Sequence, residues 1–349
     1  MGDGDCYAIA FIVCQTSGSG CVDSFGVRMV LMSSMRHRLM RWLRTDQVGV
    51  GLDIGTSGVK VVMLAQQDDG YALLGASLVP LEERSEGAAT EAIAWAMTEV
   101  HAQGRAVVTA LSAAVAAIRL MEMPSVSEDD LYSIVPYRAQ EEMAYDARRS
   151  RLDFAVVSRS ERQLRVLTVA APIASIERLA GLVRRAGVSV AAIDVDALAV
   201  VNCFLGLGLA ADGAWARGTI GLLYVGASTA ALAVLSGGQL EYHREIAMGT
   251  DAMEERRQMI EEFAGEIRLS LEHHEDQTGR TVRCLLFSGG GVLHPLTCEV
   301  LERALHVPVL PWDPTDAMVV PESLRERVCP IASQLTVAIG LALRGVCAR

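Results

Sequence analysis

Two runs of apolar residues, each interrupted by a short turn of small residues, stand out in the hydrophobic pattern of the chain. The first is Val48 to Leu64, which Gly55-Thr-Ser-Gly58 divides into two halves. The second is Ile220 to Ser236, an uncharged stretch that resembles a membrane span in composition but is divided in the same way by Gly226-Ala-Ser-Thr229. Apolar segments on both sides of a turn of small residues predict two β-hairpins.

The two predicted hairpins align in sequence without a gap. Residues 51–64 lie over residues 222–235, which places Gly55 on Gly226 and Ser57 on Ser228. A third segment, 283–291, reads as a buried strand that ends in three glycines. Internal duplication of a hairpin predicts two similar lobes that face one ligand across a cleft.

The first hairpin tip has the composition of a phosphate-binding site. Its small residues let backbone N–H groups and hydroxyls approach an anion closely, which makes Gly55, Thr56 and Ser57 candidate ligands. Lys60, the only lysine among the 31 basic residues, adds a compact positive charge. Asp53 precedes the turn and can hold Mg²⁺ through water. The alternative interpretation of Lys60 is a surface lysine beside an ordinary hairpin.

With these motifs the chain resembles the actin-like ATPase superfamily, and within it the PilM-type proteins of type IV pilus assembly, which are relatives of FtsA. The resemblance extends from Gln47 to the C-terminus and includes the segments 167–196 and 337–344. It implies an α/β, two-lobed actin-like (ribonuclease H-like) fold in which two phosphate hairpins and a glycine-rich turn surround ATP. It also implies further phosphate contacts from Gly226, Ser228 and Thr229, and nucleoside contacts from Gly289, Gly290 and Gly291.

The pattern and the resemblance together predict six segments. These are an N-terminal extension, disordered or membrane-proximal, at 1–47; a first actin-like lobe at 48–118; an inserted small α+β subdomain at 119–196; a connecting helix at 197–218; a second lobe with a shortened outer subdomain at 219–334; and a C-terminal helix at 335–349 that returns to the first lobe. In relatives the outer subdomain covers the adenine, so its loss is expected to lower nucleotide affinity.

Two departures from the family pattern predict weak or absent hydrolysis. Tyr224 occupies the acidic position of the second hairpin, and a phenol cannot replace a carboxylate around Mg²⁺ at neutral pH. On the predicted helix 130–143, Arg138 aligns with an acidic position that faces the γ-phosphate in relatives, with Glu141 and Glu142 nearby. The expected cofactors are therefore weakly bound ATP and Mg²⁺.

Composition excludes several classes of function. A net charge of −11 argues against nucleic acid as a partner, since that would require a basic surface. The eight cysteines form no Cys-x-x-Cys pair and no metal-site spacing, and are interpreted as reduced thiols of a cytosolic protein.

His273 and His274 are adjacent, so on a helix they point about 100° apart. We expect no shared metal there and a solvated helix end.

Residues 35–44 differ from the rest of the N-terminal extension. Five of these ten residues are Arg or His, interleaved with Leu, Met and Trp. A helix of this composition can lie on an anionic membrane surface, whereas the alternative is a solvated leader before the first strand. The expected location is the cytoplasm, peripheral to the inner membrane.

Two functions are compatible with the sequence. The favoured one is a cytoplasmic scaffold of a pilus, secretion or competence assembly that docks the cytoplasmic tail of a PilN-like inner-membrane partner, by resemblance as an extended peptide between the first lobe and the inserted subdomain. The alternative is an active ATPase or small-molecule kinase of the actin and sugar-kinase superfamily. Iron–sulfur activators of this superfamily carry paired cysteines, which are absent, and sugar kinases need an Asp base in the cleft at the start of a helix, for which the sequence offers no convincing candidate.

Overall fold

A computed structural model describes residues 48–347 except 69, 209–214, 216–217, 256 and 295. The predicted N-terminal extension at 1–47 and the predicted membrane-binding helix at 35–44 lie outside the described residues.

The first lobe is built on a sheet that begins with the predicted hairpin. In the described part of the chain the sheet has the strand order β3-β2-β1-β4-β8. Strands β1 to β3 are antiparallel neighbours, whereas β4 and β8 continue the sheet in parallel from β1. The strands are β1 (Val48–Ile54), β2 (Gly58–Gln67), β3 (Gly70–Pro80), β4 (Val107–Leu111) and β8 (Val190–Val195).

The second lobe repeats this plan. Its sheet has the order β11-β10-β9-β12-β13, with β9 to β11 antiparallel and β12 and β13 parallel to β9. The strands are β9 (Thr219–Val225), β10 (Ala230–Ser236), β11 (Gln239–Ile246), β12 (Leu285–Gly289) and β13 (Val309–Pro311). Strands β1 and β9 both begin three residues before the aligned pair Gly51 and Leu222, so the predicted duplication of the hairpin is confirmed.

Helices cover the two sheets and connect them. They are α1 (Glu86–Glu99), α2 (Glu128–Glu142), α3 (Ile173–Arg185), α4 (Asp196–Gly206), α5 (Thr250–Glu255), α6 (Arg257–Thr278), α7 (Thr297–Leu305), α8 (Glu322–Val328) and α9 (Thr336–Cys347). Only residues 247–249 separate β11 from α5, so the connection to the long helix of the second lobe is as short as the sequence predicts.

A small subdomain is inserted after β4. It contains a three-stranded sheet of order β5-β7-β6, made of β5 (Ala117–Pro124), β6 (Ser150–Arg159) and β7 (Gln163–Pro172), with α2 packed on one face. Helix α2 begins at a capping serine, where the Ser127 hydroxyl accepts a hydrogen bond from the Asp130 N–H.

The predicted boundary of this subdomain, 119–196, extends too far along the chain. Strand β8 pairs in parallel with β4 of the first sheet, from Val107 opposite Val190 to Leu111 opposite Val195. Helix α3 packs on α1 and β8. All residues of β8 except Ala191 are buried, as expected for a parallel strand covered on both faces, so this strand belongs to the first lobe.

The C-terminal helix α9 packs across the first sheet and against α4. Glycines on β1 permit this close approach: a Cβ on Gly51 would lie 2.0 Å from the Ala338 carbonyl oxygen, and one on Gly49 would lie 2.0 Å from that of Ala342. Within the described residues, one helical run, Glu322–Cys347, is long and apolar enough to cross a membrane, but its most apolar part is 67% buried inside the protein. Length and composition alone are weak evidence, and here they describe a core helix.

The prediction that His273 and His274 form a solvated helix end is wrong for His274. His274 is 1% exposed, and its Nε2 lies 3.0 Å from Glu241 Oε2 on β11. Arg280 also pairs with Glu241. His274 therefore ties the long helix to the edge strand of the second sheet rather than facing solvent, and no group of three or more metal-ligating side chains is found among the described residues.

Candidate functional site

A polar cavity of about 350 Å³ lies between the two hairpin tips, at the small end of the size range of ligand sites. Four predicted site residues line it: Ser57, Lys60, Gly226 and Gly290. Residues outside the predicted set complete the wall; these are Tyr224, Ala227, Thr250, Leu293, His294 and Gln334. The cavity thus combines both hairpins with the turn after β12, as expected for one ligand held across a cleft.

Lys60 is a buried cation at this cavity. It is 6% exposed, and its Nζ lies 3.2 Å from Asp53 Oδ2 on the neighbouring strand. The Gly55 N–H closes the turn onto the Gly58 carbonyl at 3.0 Å, and a Cβ on Gly55 would lie only 2.8 Å from Lys60 Nζ. The alternative interpretation of Lys60 as a surface lysine is therefore wrong.

The two hairpin tips touch. Thr56 Oγ1 and Ser228 Oγ are 3.2 Å apart, and the Gly226 N–H donates to the Thr229 carbonyl at 2.9 Å within the second tip. Arg84, which precedes α1, also pairs with Asp251 on α5. The Thr56–Ser228 and Arg84–Asp251 contacts therefore both join the first lobe to the second.

The three glycines at the end of β12 and directly after it, Gly289 to Gly291, have different structural roles. Gly289 has a φ of +91°, and a Cβ there would lie 2.3 Å from the Val225 carbonyl oxygen. A Cβ on Gly291 would lie 2.8 Å from Val225 Cβ. Both glycines let the turn pack tightly against β9, whereas Gly290 faces the cavity.

Tyr224 lies in the wall of the cavity, where the family pattern has an acid. Burial raises its pKa well above the usual value for a phenol, and the charges of Asp53 and Asp196 raise it further. The side chain is therefore a neutral phenol at physiological pH, which can donate one hydrogen bond but cannot serve as an anionic ligand of a metal.

Arg138 does not reach the cavity. It lies on α2 in the small subdomain, where its Nη1 donates to the Glu122 carbonyl at 2.7 Å and its guanidinium pairs with Glu142. The alignment of α2 with a helix that faces the γ-phosphate is therefore a wrong prediction. Helix α2 turns its apolar side toward the small sheet, and its polar groups bond within the subdomain.

The sequence reasoning missed a carboxylate near the cleft, Asp196, at the first residue of α4. Its Oδ1 accepts hydrogen bonds from the N–H groups of Ala113 at 2.8 Å and Ala197 at 2.6 Å. Burial raises its pKa to about 7 against the effect of these hydrogen bonds, and the charges of Asp53 and Glu245 add to the rise. An aspartate directly after a buried apolar strand and before a helix was the sequence signal that could have identified it.

The cavity fits the polyphosphate part of a nucleotide better than it fits a metal cage. Lys60, the small residues of both tips and the glycines behind them provide one positive charge and close backbone access. In contrast, Asp53 is already paired with Lys60, and the described residues contain no three-ligand metal cluster. Because Mg²⁺ commonly binds through substrate phosphates, waters and one or two carboxylates, Asp53 fits a water-mediated role.

Comparisons with known proteins identify a family and similar solved structures. The sequence profile of the family described as type IV pilus assembly protein PilM matches residues 51–260. The chain is also similar to a solved structure, the PilM-PilN type IV pilus biogenesis complex, with 24% identity, a TM-score of 0.75, and coverage of 85% of this chain and 98% of that one.

More distant similarities include the ethanolamine utilization protein EutJ from Carboxydothermus hydrogenoformans, at 13% identity and a TM-score of 0.45 over 85% of this chain and 89% of that one. The cytoplasmic domain of EpsL, an inner-membrane component of the type II secretion system of Vibrio cholerae, gives 14% identity and a TM-score of 0.43 over 69% and 81%.

Proposed function

This chain belongs to the PilM family of type IV pilus assembly proteins, has the two-lobed actin-like fold, and we propose that it is a cytoplasmic scaffold that docks the tail of an inner-membrane partner. The partner proposed is PilN-like, since the solved relative is a PilM-PilN complex. The scaffold binds Mg²⁺ and ATP weakly, hydrolyses ATP slowly or not at all, and works at the cytoplasmic side of the inner membrane.

The observation that carries the nucleotide part is the buried Lys60–Asp53 pair at a cavity between two duplicated hairpins. Phosphate binding is supported by Gly55, Thr56, Ser57 and Lys60 of the first tip and by Gly226, Ser228 and Thr229 of the second. Weak hydrolysis is supported by the neutral Tyr224 phenol, because a metal shell that lacks a second anionic ligand stabilises the transition state poorly.

The docking part rests on the face of the small sheet that is turned away from α2. Side chains alternate between the two faces along each strand. Met121 on β5 and Leu164 on β7 pack with α2. Leu167 and Val169 on β7 lie on the opposite face and join the main core. At the edges of this face, Ile118 and Leu120 on β5 and Ala155 and Val157 on β6 are only partly buried. An extended peptide with apolar side chains at alternate positions would complete this surface.

Docking is tested with a synthetic peptide that carries the cytoplasmic tail of the PilN-like protein of the same organism. We expect it to bind the purified chain and Leu120→Arg to weaken binding about tenfold or more, since a charge would enter an apolar contact. Leu269→Arg is the matched control, because Leu269 is 54% exposed on α6 in the second lobe. Isothermal titration calorimetry gives the affinities; equal affinity for wild type and a folded Leu120→Arg would refute docking at this face.

One observation favours the second candidate, an active ATPase or kinase. Asp196 is an aspartate at the start of a helix beside the cleft, with its pKa raised to about 7, which suits a general base. A phosphate-release assay with Mg²⁺ and ATP decides between the two. Steady turnover that Asp196→Asn abolishes would establish the enzyme, and turnover at the background rate would leave the scaffold.

A further inference from the structure

The chain enters the small subdomain through a short hinge that follows β4. Residues Ala113–Val115 form one 3₁₀ turn, capped by the Ser112 hydroxyl, which accepts a hydrogen bond from the Ala114 N–H at 3.3 Å. The turn closes with the Val115 N–H on the Ser112 carbonyl at 3.0 Å. Strand β5 begins at Ala117, so the orientation of this turn sets the direction in which the small sheet leaves the first lobe.

Asp196 holds that hinge from the cleft side. Its Oδ1 accepts from the first N–H of the turn, that of Ala113, and from its own neighbour Ala197. One oxygen thus joins the start of α4 to the start of the hinge. Among the described residues no hydrogen bond reaches the other oxygen, Oδ2.

Asp196 lies at the same end of the first sheet as Asp53, because β1, β4 and β8 are parallel neighbours, Asp53 is near the end of β1 and Asp196 directly follows β8. The charges of Asp53 on β1 and Glu245 on β11 act on it, and its own charge acts on Tyr224 of the cavity wall. Lys60, the positively charged residue of the predicted site, is paired with Asp53. A hydrated cation carried in by phosphates would therefore enter a cluster of carboxylates in which Asp196 has a free acceptor.

We propose that Asp196 is a positioning residue that couples occupancy of the cleft to the hinge of the small subdomain. Water bound to the incoming cation donates to Oδ2, which fixes the rotation of the carboxylate and holds Oδ1 on both N–H groups. The hinge is then ordered and the small subdomain takes one orientation on the first lobe. Because coupling is reciprocal, a partner that moves the small subdomain also changes the affinity for the nucleotide.

The inference rests on the proposed nucleotide site, so the experiment measures occupancy and coupling separately. Isothermal titration calorimetry with Mg²⁺ and ATP reports occupancy, and loss of this binding in Lys60→Ala assigns the occupancy to the cleft. Hydrogen–deuterium exchange of the peptide that spans residues 111–117 reports the hinge. Both are measured on the full chain with and without Mg²⁺ and ATP.

Two variants separate the roles of the two oxygens. Asp196→Asn keeps Oδ1 as an acceptor for both N–H groups but replaces Oδ2 with an NH₂ donor, so the hinge is held and the response to the cation is lost. Asp196→Ala removes both oxygens, and with them the acceptor for the hinge N–H groups and the acceptor for the cation-bound water. The matched control is Asp313→Asn, because Asp313 Oδ1 caps another 3₁₀ turn by accepting from the Thr315 N–H at 2.8 Å.

In wild type and Asp313→Asn, Mg²⁺ and ATP should bind and slow exchange of the hinge about fivefold or more, the lower end of typical coupling between sites. In Asp196→Asn, exchange should stay the same with and without the nucleotide. If ATP binds but the hinge exchanges at an unchanged rate in wild type, or still slows in Asp196→Asn, the coupling is refuted and the nucleotide site stands. If ATP does not bind wild type, or binds Lys60→Ala equally well, the nucleotide site itself is refuted, and the coupling with it.

Discussion

Lys60 is the residue on which the nucleotide site depends most directly. It is the only lysine, it is buried, and its ammonium faces both the cavity and Asp53. A buried cation in this position is stabilised by a carboxylate when the site is empty and by phosphate when it is filled.

Replacing Lys60 by Ala should abolish the stabilisation of the protein by Mg²⁺ and ATP. In wild type the effect follows the ratio of ligand concentration to Kd and reaches about 2.7 kcal/mol at a hundredfold excess over Kd. A thermal-shift titration measures it. The variant also leaves Asp53 without its partner, so the shift caused by ligand is compared rather than the absolute Tm.

Arg105→Ala is the control for this titration, since Arg105 is an exposed cation that does not line the cavity. It should keep the full ligand shift. A saturable shift that persists in Lys60→Ala would show that the nucleotide binds elsewhere.

Asp196 makes the stability of the protein depend on pH. Because its pKa rises from 3.8 in the unfolded chain to about 7 in the folded one, the folded state binds more protons between these values, and the free energy of unfolding falls as pH rises through this window. Asp196→Asn removes the penalty. The variant should match wild type near pH 4 and exceed it above pH 7 by on the order of 1–4 kcal/mol, at about 1.4 kcal/mol per pKa unit.

Urea unfolding of both proteins from pH 4 to pH 8, in buffers free of divalent cations, measures this difference. A gap between the two proteins that stays constant across the range would contradict the raised pKa of Asp196.

At the scale of elements, the contact between β1 and α9 fixes the first lobe. The glycines of β1 bring the strand against the backbone of the helix, and Gly340 of α9 does the same on α4, where a Cβ would lie 1.9 Å from the Ala199 carbonyl oxygen. Backbone cannot move aside as a flexible side chain can, so these positions accept no larger residue.

Gly51→Ala should therefore destabilise the protein by about 2–4 kcal/mol. Gly265→Ala is the control, since no atom lies within 4 Å of its Cβ position on α6; an alanine inside a helix should stabilise by about 1 kcal/mol. Urea midpoints of the two variants measure both effects, and a Gly51→Ala midpoint equal to that of wild type would mean that β1 and α9 do not pack this closely.

At the scale of the whole molecule, the hypothesis of membrane contact concerns residues 35–44. Deletion of residues 1–46 should weaken binding to liposomes that contain anionic lipid, because it removes the basic amphipathic stretch. Sedimentation with liposomes measures the bound fraction of the full chain and of the deletion variant. Liposomes without anionic lipid are the control, and equal binding by both proteins would favour a solvated leader.

The sequence determined those features that depend on neighbours along the chain. Apolar segments on both sides of turns of small residues predicted both hairpins, and the ungapped repeat predicted two similar lobes, whose sheets share one strand plan. Residues at the hairpin tips were identifiable because a phosphate contact needs small side chains and one cation at fixed local spacing.

Only the tertiary structure decided the features that depend on which distant residues meet. In the folded chain, Asp196 bonds the Ala113 N–H and its pKa responds to the charge of Asp53. Arg138 bonds within the small subdomain, and β8 pairs with the first sheet. His274 is buried in contact with Glu241. These contacts join positions far apart in sequence, and their distances follow from how the lobes and the small subdomain pack. The order of residues along the chain does not tell which distant side chains come into contact. Burial and hydrogen bonding in the folded chain show these contacts directly.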